Sequence, residues 1–139
     1  MANPTKARWI RMKRIHRYLM GAPRCVLEYR YQSRQECIVT WTESDFAGCI
    51  KSRKSTSGGV VMHGGHRIKS WSTNQIVIAL SSGGAEYYSL VKGASMALDI
   101  KEICIDLGVK FDRSIEIRSD ASAAIAVVNR IGLGKVRHI

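Results

Sequence analysis

The sequence is poor in acid and in the residues that punctuate or staple a chain. Its 139 residues hold 11 Asp and Glu against 22 Lys and Arg, with two prolines, two phenylalanines and four cysteines. Cys25, Cys37, Cys49 and Cys104 show no C-x-x-C spacing, so they suggest neither a zinc site nor a disulfide framework. They read as reduced thiols of an intracellular protein, cytoplasmic or nuclear. The longest unbroken apolar run, residues 123–128, is far too short to span a membrane. The basic N-terminal stretch has no apolar block behind it, which argues against a secretory leader. His16, His63, His66 and His138 lack metal-ligand spacing, and there is no G-x-S-x-G. Ser81-Ser82-Gly83-Gly84 lacks the Walker lysine and the Rossmann glycines. A hydrophobic content of 45% with 24% charged residues is ordinary for one folded domain and excludes collagen-like, disordered and membrane classes.

What is present is positive charge, unevenly spread. Of a formal net charge of +11, residues 1–40 carry nine cations against two acids, leaving thirteen and nine for the remainder. A polyanion partner is the simplest reason for such an excess, although basic surfaces also serve solubility alone. Between Lys6 and Arg17 lie six cations and no acid, among them Lys13, Arg14 and Arg17. A second basic group, Lys51, Arg53 and Lys54, falls in a polar loop over residues 48–58.

The pattern predicts a helix opening at Asn3-Pro4, with Asn3 as N-cap and Trp9, Met12, His16 and Leu19 at helical spacing, closed by Gly21 and Pro23. Residues 26–31 partly alternate and read as β. Residues 36–42 and 59–63 read as strands, with a Gly64-Gly65 turn leading to a strand over 67–72. Residues 75–80 are apolar and of undefined type. A long helix over 83–107 has an apolar stripe of Leu90, Ala94, Ala97, Ile100, Cys104 and Leu107 and a polar one of Ser89, Lys92, Ser95, Asp99, Glu102 and Asp106, and ends at Gly108. An alternating strand over 114–120 and a short helix over 121–129 follow. Consecutive strands and then a strand–helix tail make a mixed α/β sheet.

Only nine acids lie beyond residue 40, and four of them sit at element boundaries. Glu43 and Asp45 follow a strand, Glu86 falls in the first turn of the long helix, and Asp120 ends the alternating strand. Carboxylates from separate elements can meet at one end of a sheet and bind Mg²⁺, a hard cation that prefers oxygen. Each acid also has an ordinary reading: Glu43 and Asp45 as turn residues, Glu86 favoured by the helix dipole, Asp120 as a cap.

Six motifs in order carry a resemblance. "RWIRMKRIHRYLMGAP" (residues 8–23) is similar to a basic linker pattern R-x-L-R-Y-L-x-G-T. "WTESDFAG" (41–48) is similar to Y-T-D-A-D-W-A-G. "RKSTSGGVVMHGG" (53–65) matches R-R-S-T-S-G-Y-V-F and its hairpin. "IKSWSTNQIVIALSSGGAEYYSL" (68–90) is similar to I-S-W-S-S-K-K-Q-x-x-V-A-L-S-S-T-E-A-E-Y-x-A-L. "RSDASAAIAV" (118–127) is similar to C-D-N-Q-S-A-I, and "GKVRHI" (134–139) to K-H-I-D. The chain resembles the ribonuclease H domain of copia-type retrotransposon polyproteins, with residues 1–33 resembling the end of the reverse transcriptase and 34–139 the ribonuclease H-like part.

The resemblance implies a ribonuclease H-like mixed sheet: three antiparallel strands, then helix, parallel strand and helix. It implies Mg²⁺-dependent hydrolysis of the RNA strand of RNA–DNA hybrids, Mn²⁺ being an alternative ion. Its metal ligands fall on Glu43, Glu86 and Asp120, with Asp45 as an additional candidate. Its partners are the hybrid and the reverse transcriptase of the same polyprotein, with Lys13, Arg14, Arg17, Lys51, Arg53 and Lys54 as phosphate contacts and no membrane. Three departures count against full activity. Glu43 replaces the family's Asp, and the extra methylene displaces the carboxylate by roughly one bond length where placement within about 0.5 Å is needed. T-E-A-E becomes Gly83-Gly84-Ala85-Glu86. The sequence stops at Ile139, where the family next has an acid, so a fourth carboxylate and the last strand are expected to be missing. The alternative is therefore a catalytically inactive nucleic-acid-binding remnant.

Overall fold

A computed structural model describes residues 5–24, 26–109 and 115–130. The expectations at Asn3-Pro4, Cys25, Ser114, Gly132–Gly134, His138 and the missing last strand lie outside them. The chain divides into two compact units, Met1–Tyr31 and Gln32–Ile139.

The first unit holds helix α1, Lys6–Gly21. Its N-cap is Thr5, whose hydroxyl accepts the Arg8 N–H at 3.3 Å. A hydroxyl three residues before an otherwise orphaned N–H is enough to set that start. No residue of α1 is buried, so the Trp9, Met12, His16 and Leu19 face is not a core face. Residues 26–31 form no strand. Alternation alone does not make one: Val26, Leu27, Tyr29 and Tyr31 are all exposed, so neither face of the segment is buried in a core.

In the second unit a four-stranded sheet has the order β3-β2-β1-β4. Strand β1 (Ile38–Asp45) runs antiparallel to β2 (Thr56–His63), which forms a hairpin with β3 (His66–Asn74). Gly64 at the tip has φ +61°, the left-handed region that glycine enters without penalty. Helix α2 (Ser82–Asp106) then crosses the sheet, and β4 (Ile115–Arg118) returns parallel to β1 before the short helix α3 (Ser122–Val128). This is the expected mixed sheet, and its order is consistent with the ribonuclease H-like fold.

β2 begins three residues before the expected strand. The polar Thr56-Ser57-Gly58 stretch pairs with residues 43–45 of β1, and Ser57 is buried. Backbone pairing, not hydropathy, sets that boundary. Residues 75–80 belong to no helix or strand.

The core is small: Ile38, Val61 and Ala97, with Trp71, Met96, Ile100 and Ile115 packed against it. On α2 the buried positions include Ala85, Ser89, Gly93 and Ala97, spaced four apart. Leu90 and Ala97 of the expected stripe are buried and Ile100 packs against the core, but the buried face also takes small residues outside that stripe, including Ser89 from the polar set. Small side chains let α2 lie close on Thr40 and Thr42 of β1. A Cβ on Gly93 would collide with Thr42 Cγ2 and sit 3.3 Å from Thr40 Cγ2.

Candidate carboxylate site

The closeness of α2 to β1 places the candidate acids. Along β1 burial alternates, so Thr40, Thr42 and Ser44 face inward while Trp41, Glu43 and Asp45 are exposed. Glu43 lies on the strand itself rather than in a turn. Pairing with β4 ends at Trp41 and Arg118, so residues 42–45 run past the end of that strand. There the Ser44 N–H is taken by Glu86 Oε1 at 3.1 Å. One turn further along α2, Ser89 Oγ donates to the Glu43 carbonyl at 2.7 Å. Glu86 begins the second turn of α2, not the first, and its carboxylate serves β1 instead of its own helix.

Asp120 follows β4. Helix α3 takes Ala121 as N-cap with no side-chain cap bond, so Asp120 is not spent on capping. With Glu43 it lines a cavity of about 380 Å³ shared by Trp41, Thr42, Gly59, Val60 and Ser119. Asp45 sits elsewhere: its carboxylate lies against Gly48 in the turn after β1, leaving no room there for a Cβ. A larger cavity of about 750 Å³, between Trp41, α2, β4 and α3, is mostly apolar and has no carboxylate among the described residues that line it.

Glu86 is held above its ordinary carboxylate value. Burial is the main cause, the Glu43 charge comes next, the Ser44 N–H opposes both, and Asp120 adds a smaller push in the same direction as Glu43. Its second oxygen, Oε2, is buried with no hydrogen-bond partner. An unpartnered carboxylate oxygen beside two further acids is a poor arrangement for a bare chain, since each charge repels the others and one is desolvated. It is the arrangement a hard divalent cation relieves, and on that ground Glu43, Glu86 and Asp120 fit one. As placed, however, no three His, Cys, Asp or Glu side chains among the described residues converge as a metal-binding group.

No protein-family model and no solved structure matches the chain. Curated relatives do. Over the whole chain it is 28% identical to the retrovirus-related Pol polyprotein from transposon RE2 of Arabidopsis thaliana and 27% identical to that from transposon TNT 1-94 of Nicotiana tabacum, spanning 10% of each. It is 31% identical over 97 residues to the secreted RxLR effector protein 161 of Plasmopara viticola, which covers 70% of this chain and 68% of that protein. The chain belongs to one family with that protein and is a distant homologue of copia-type retrotransposon Pol polyproteins.

In this Pol-related chain the two groups of candidate phosphate contacts fall in different units. Lys13, Arg14 and Arg17 lie on α1 in the first, with Lys13 Nζ 5.8 Å from the centre of the Trp9 ring. Lys51, Arg53 and Lys54 lie in the second, in the loop that leaves β1 just after the acids. That loop is a built turn: Arg53 N–H donates to the Cys49 carbonyl at 2.7 Å, Cys49 N–H to the Lys54 carbonyl at 3.2 Å, and Ala47 N–H to buried Ser55 Oγ at 3.0 Å. Lys51 and Arg53 are exposed.

Ser44, Gln75 and Ser89, which sequence reasoning did not single out, form hydrogen bonds around the acids. Nothing in their local pattern separates them from solvent-facing polar residues.

Proposed function

We propose that the chain is a ribonuclease H-like module that hydrolyses the RNA strand of RNA–DNA hybrids formed during reverse transcription. One observation carries the reading. Glu86, with a buried and unpartnered carboxylate oxygen, lies under the charge of both Glu43 and Asp120, which share a cavity.

Glu43, Glu86 and Asp120 would hold Mg²⁺, or Mn²⁺ in its place. Bound there, such ions activate water and stabilise the leaving oxygen of a phosphodiester. The chain's own residues do the rest. Ser44 N–H fixes Glu86, and Ser89 fixes the backbone that carries Glu43. Lys51, Arg53 and Lys54 neutralise phosphates from the loop after β1, and Lys13, Arg14 and Arg17 supply phosphate contacts on α1. The setting is intracellular, cytoplasmic or nuclear, with the reverse transcriptase of the same polyprotein as neighbour.

The test is cleavage of an end-labelled RNA–DNA hybrid in Mg²⁺, compared with Asp120→Asn. Loss of a ligand charge is expected to lower the rate by about two orders of magnitude or more. Equal cleavage by the two proteins overturns the site. A second reading, a binding remnant without turnover, is favoured by Glu43 standing where the family has Asp and by the lack of a converged three-acid group. Salt-sensitive binding without cleavage supports it, and cleavage gained by Glu43→Asp locates the defect.

A further inference from the structure

Gln75 is 8% exposed and lies just past β3, where its own N–H donates to the Ser55 carbonyl at 2.8 Å. Its side-chain nitrogen reaches three elements at once: the Ala85 carbonyl on α2 at 2.8 Å, Ser57 Oγ on β2 at 2.9 Å and Ser44 Oγ on β1 at 3.4 Å. An amide has two N–H groups, so the two short contacts take one each and the long one is shared. Ala85 immediately precedes Glu86, and Ser44 immediately follows Glu43 and gives its own N–H to Glu86. The amide therefore sits one residue from both acids without touching either carboxylate.

We infer that Gln75 is a positioning residue for the carboxylate site: its buried amide ties the start of α2 to β2, which pairs with the end of β1, and reaches Ser44 of β1 by the longer shared contact, and so fixes Glu43 and Glu86 relative to each other. The inference rests on the proposed nuclease reading. Its chemistry is specific. Glutamate has no donors at neutral pH, an apolar side chain of the same length has none at any pH, and lysine would bury a charge. Gln75 Oε1 is itself buried without a partner. With its oxygen unpartnered, what this amide contributes to the contact beyond volume is its two donors.

The test is Gln75→Met, which keeps length and bulk and removes both donors. Mg²⁺ affinity is read by calorimetric titration of the full chain with MgCl2, and the Ser44 amide by hydrogen exchange in the ion-free chain. The expected result is a thermal midpoint close to wild type, Mg²⁺ affinity down by roughly 10–100-fold, and faster exchange at Ser44. A folded variant with wild-type affinity and wild-type Ser44 protection overturns the inference, because a packing role alone moves neither. If Gln75→Met does not fold, Gln75→Asn retains the amide one methylene short, and the same two readings decide. A wild-type chain that binds neither Mg²⁺ nor Mn²⁺ defeats the nuclease reading instead, and the Ser44 exchange still judges the clamp.

Discussion

Glu86 stands between two demands. One oxygen accepts the Ser44 N–H at 3.1 Å, while the other is buried without a partner under the charges of Glu43 and Asp120. Its carboxyl is raised, so the stability it contributes to the ion-free fold is fully present below the ordinary carboxylate range and is lost as pH rises through the raised value. A cation competes with that proton. Thermal stabilisation by Mg²⁺ should therefore be negligible in acid and grow as pH rises through the Glu86 transition, read as the midpoint shift with and without MgCl2 across pH. Glu86→Gln keeps an acceptor for Ser44 and removes the charge. The side chain is partly solvated, which screens the effect, so the variant should raise the ion-free midpoint at neutral pH by only roughly 1–3 °C. It should also abolish the Mg²⁺ response, and an unchanged response would remove Glu86 from the site. At this scale the three acids drew attention in the sequence by standing at expected element boundaries and by the resemblance, although Glu43 and Glu86 lie within β1 and α2. Gln75 and Ser89 were not. A buried amide and a buried hydroxyl differ from solvent-facing ones only by what folds over them, and neither charge nor periodicity reports that.

At the scale of elements, the distance between α2 and β1 decides whether the site assembles. The stripe of Ala85, Ser89, Gly93 and Ala97 keeps that distance short enough for Ser89 to reach the Glu43 carbonyl. Gly93→Ala isolates the effect. Alanine improves helix propensity by up to about 1 kcal/mol, but its methyl would collide with Thr42 Cγ2, and overpacking of this kind costs about 1–3 kcal/mol. The net expectation is a loss of about 1–2 kcal/mol, seen as a lower denaturant midpoint with unchanged slope. Weaker hybrid cleavage should accompany it, as α2 lifts away from β1. A variant as stable as wild type would mean that the helix shifts freely and that spacing does not govern the site. The helices and the hairpin were readable from periodicity and from Gly64-Gly65. The misread segments have one cause in common: pairing lies outside local sequence. Residues 26–31 alternate without a partner strand, whereas Thr56-Ser57-Gly58 is polar and becomes strand because β1 supplies the partner. The same blindness left the stripe on α2 incomplete: a hydropathy count finds Leu90, Ala97 and Ile100, which do pack inward, but not Ala85, Ser89 and Gly93, where the strand beneath requires small residues.

For the whole molecule the governing quantity is a net charge of +11 that the four-stranded sheet does not explain. If the excess exists to hold a polyanion, binding must release counterions, and affinity must fall with salt on a logarithmic plot by about 0.9 per phosphate neutralised on duplex DNA, with a hybrid of the same order. The two basic groups can then be weighed separately. Replacing Lys51, Arg53 and Lys54 together by alanine should flatten the slope for an RNA–DNA hybrid by about 2–3, and the same change at Lys13, Arg14 and Arg17 should flatten it by a similar amount. Fluorescence anisotropy with a labelled hybrid across a salt series measures both. Glu86→Gln should leave the slope nearly unaltered, because a carboxylate offers no positive charge to a phosphate and displaces no counterion from it. Curves that overlay wild type for both triple variants would show that these cations lie off the nucleic-acid path. If only the loop variant changes, α1 is basic for a different partner, and the phosphate contacts belong to the second unit alone, where the loop follows the strand that carries Glu43.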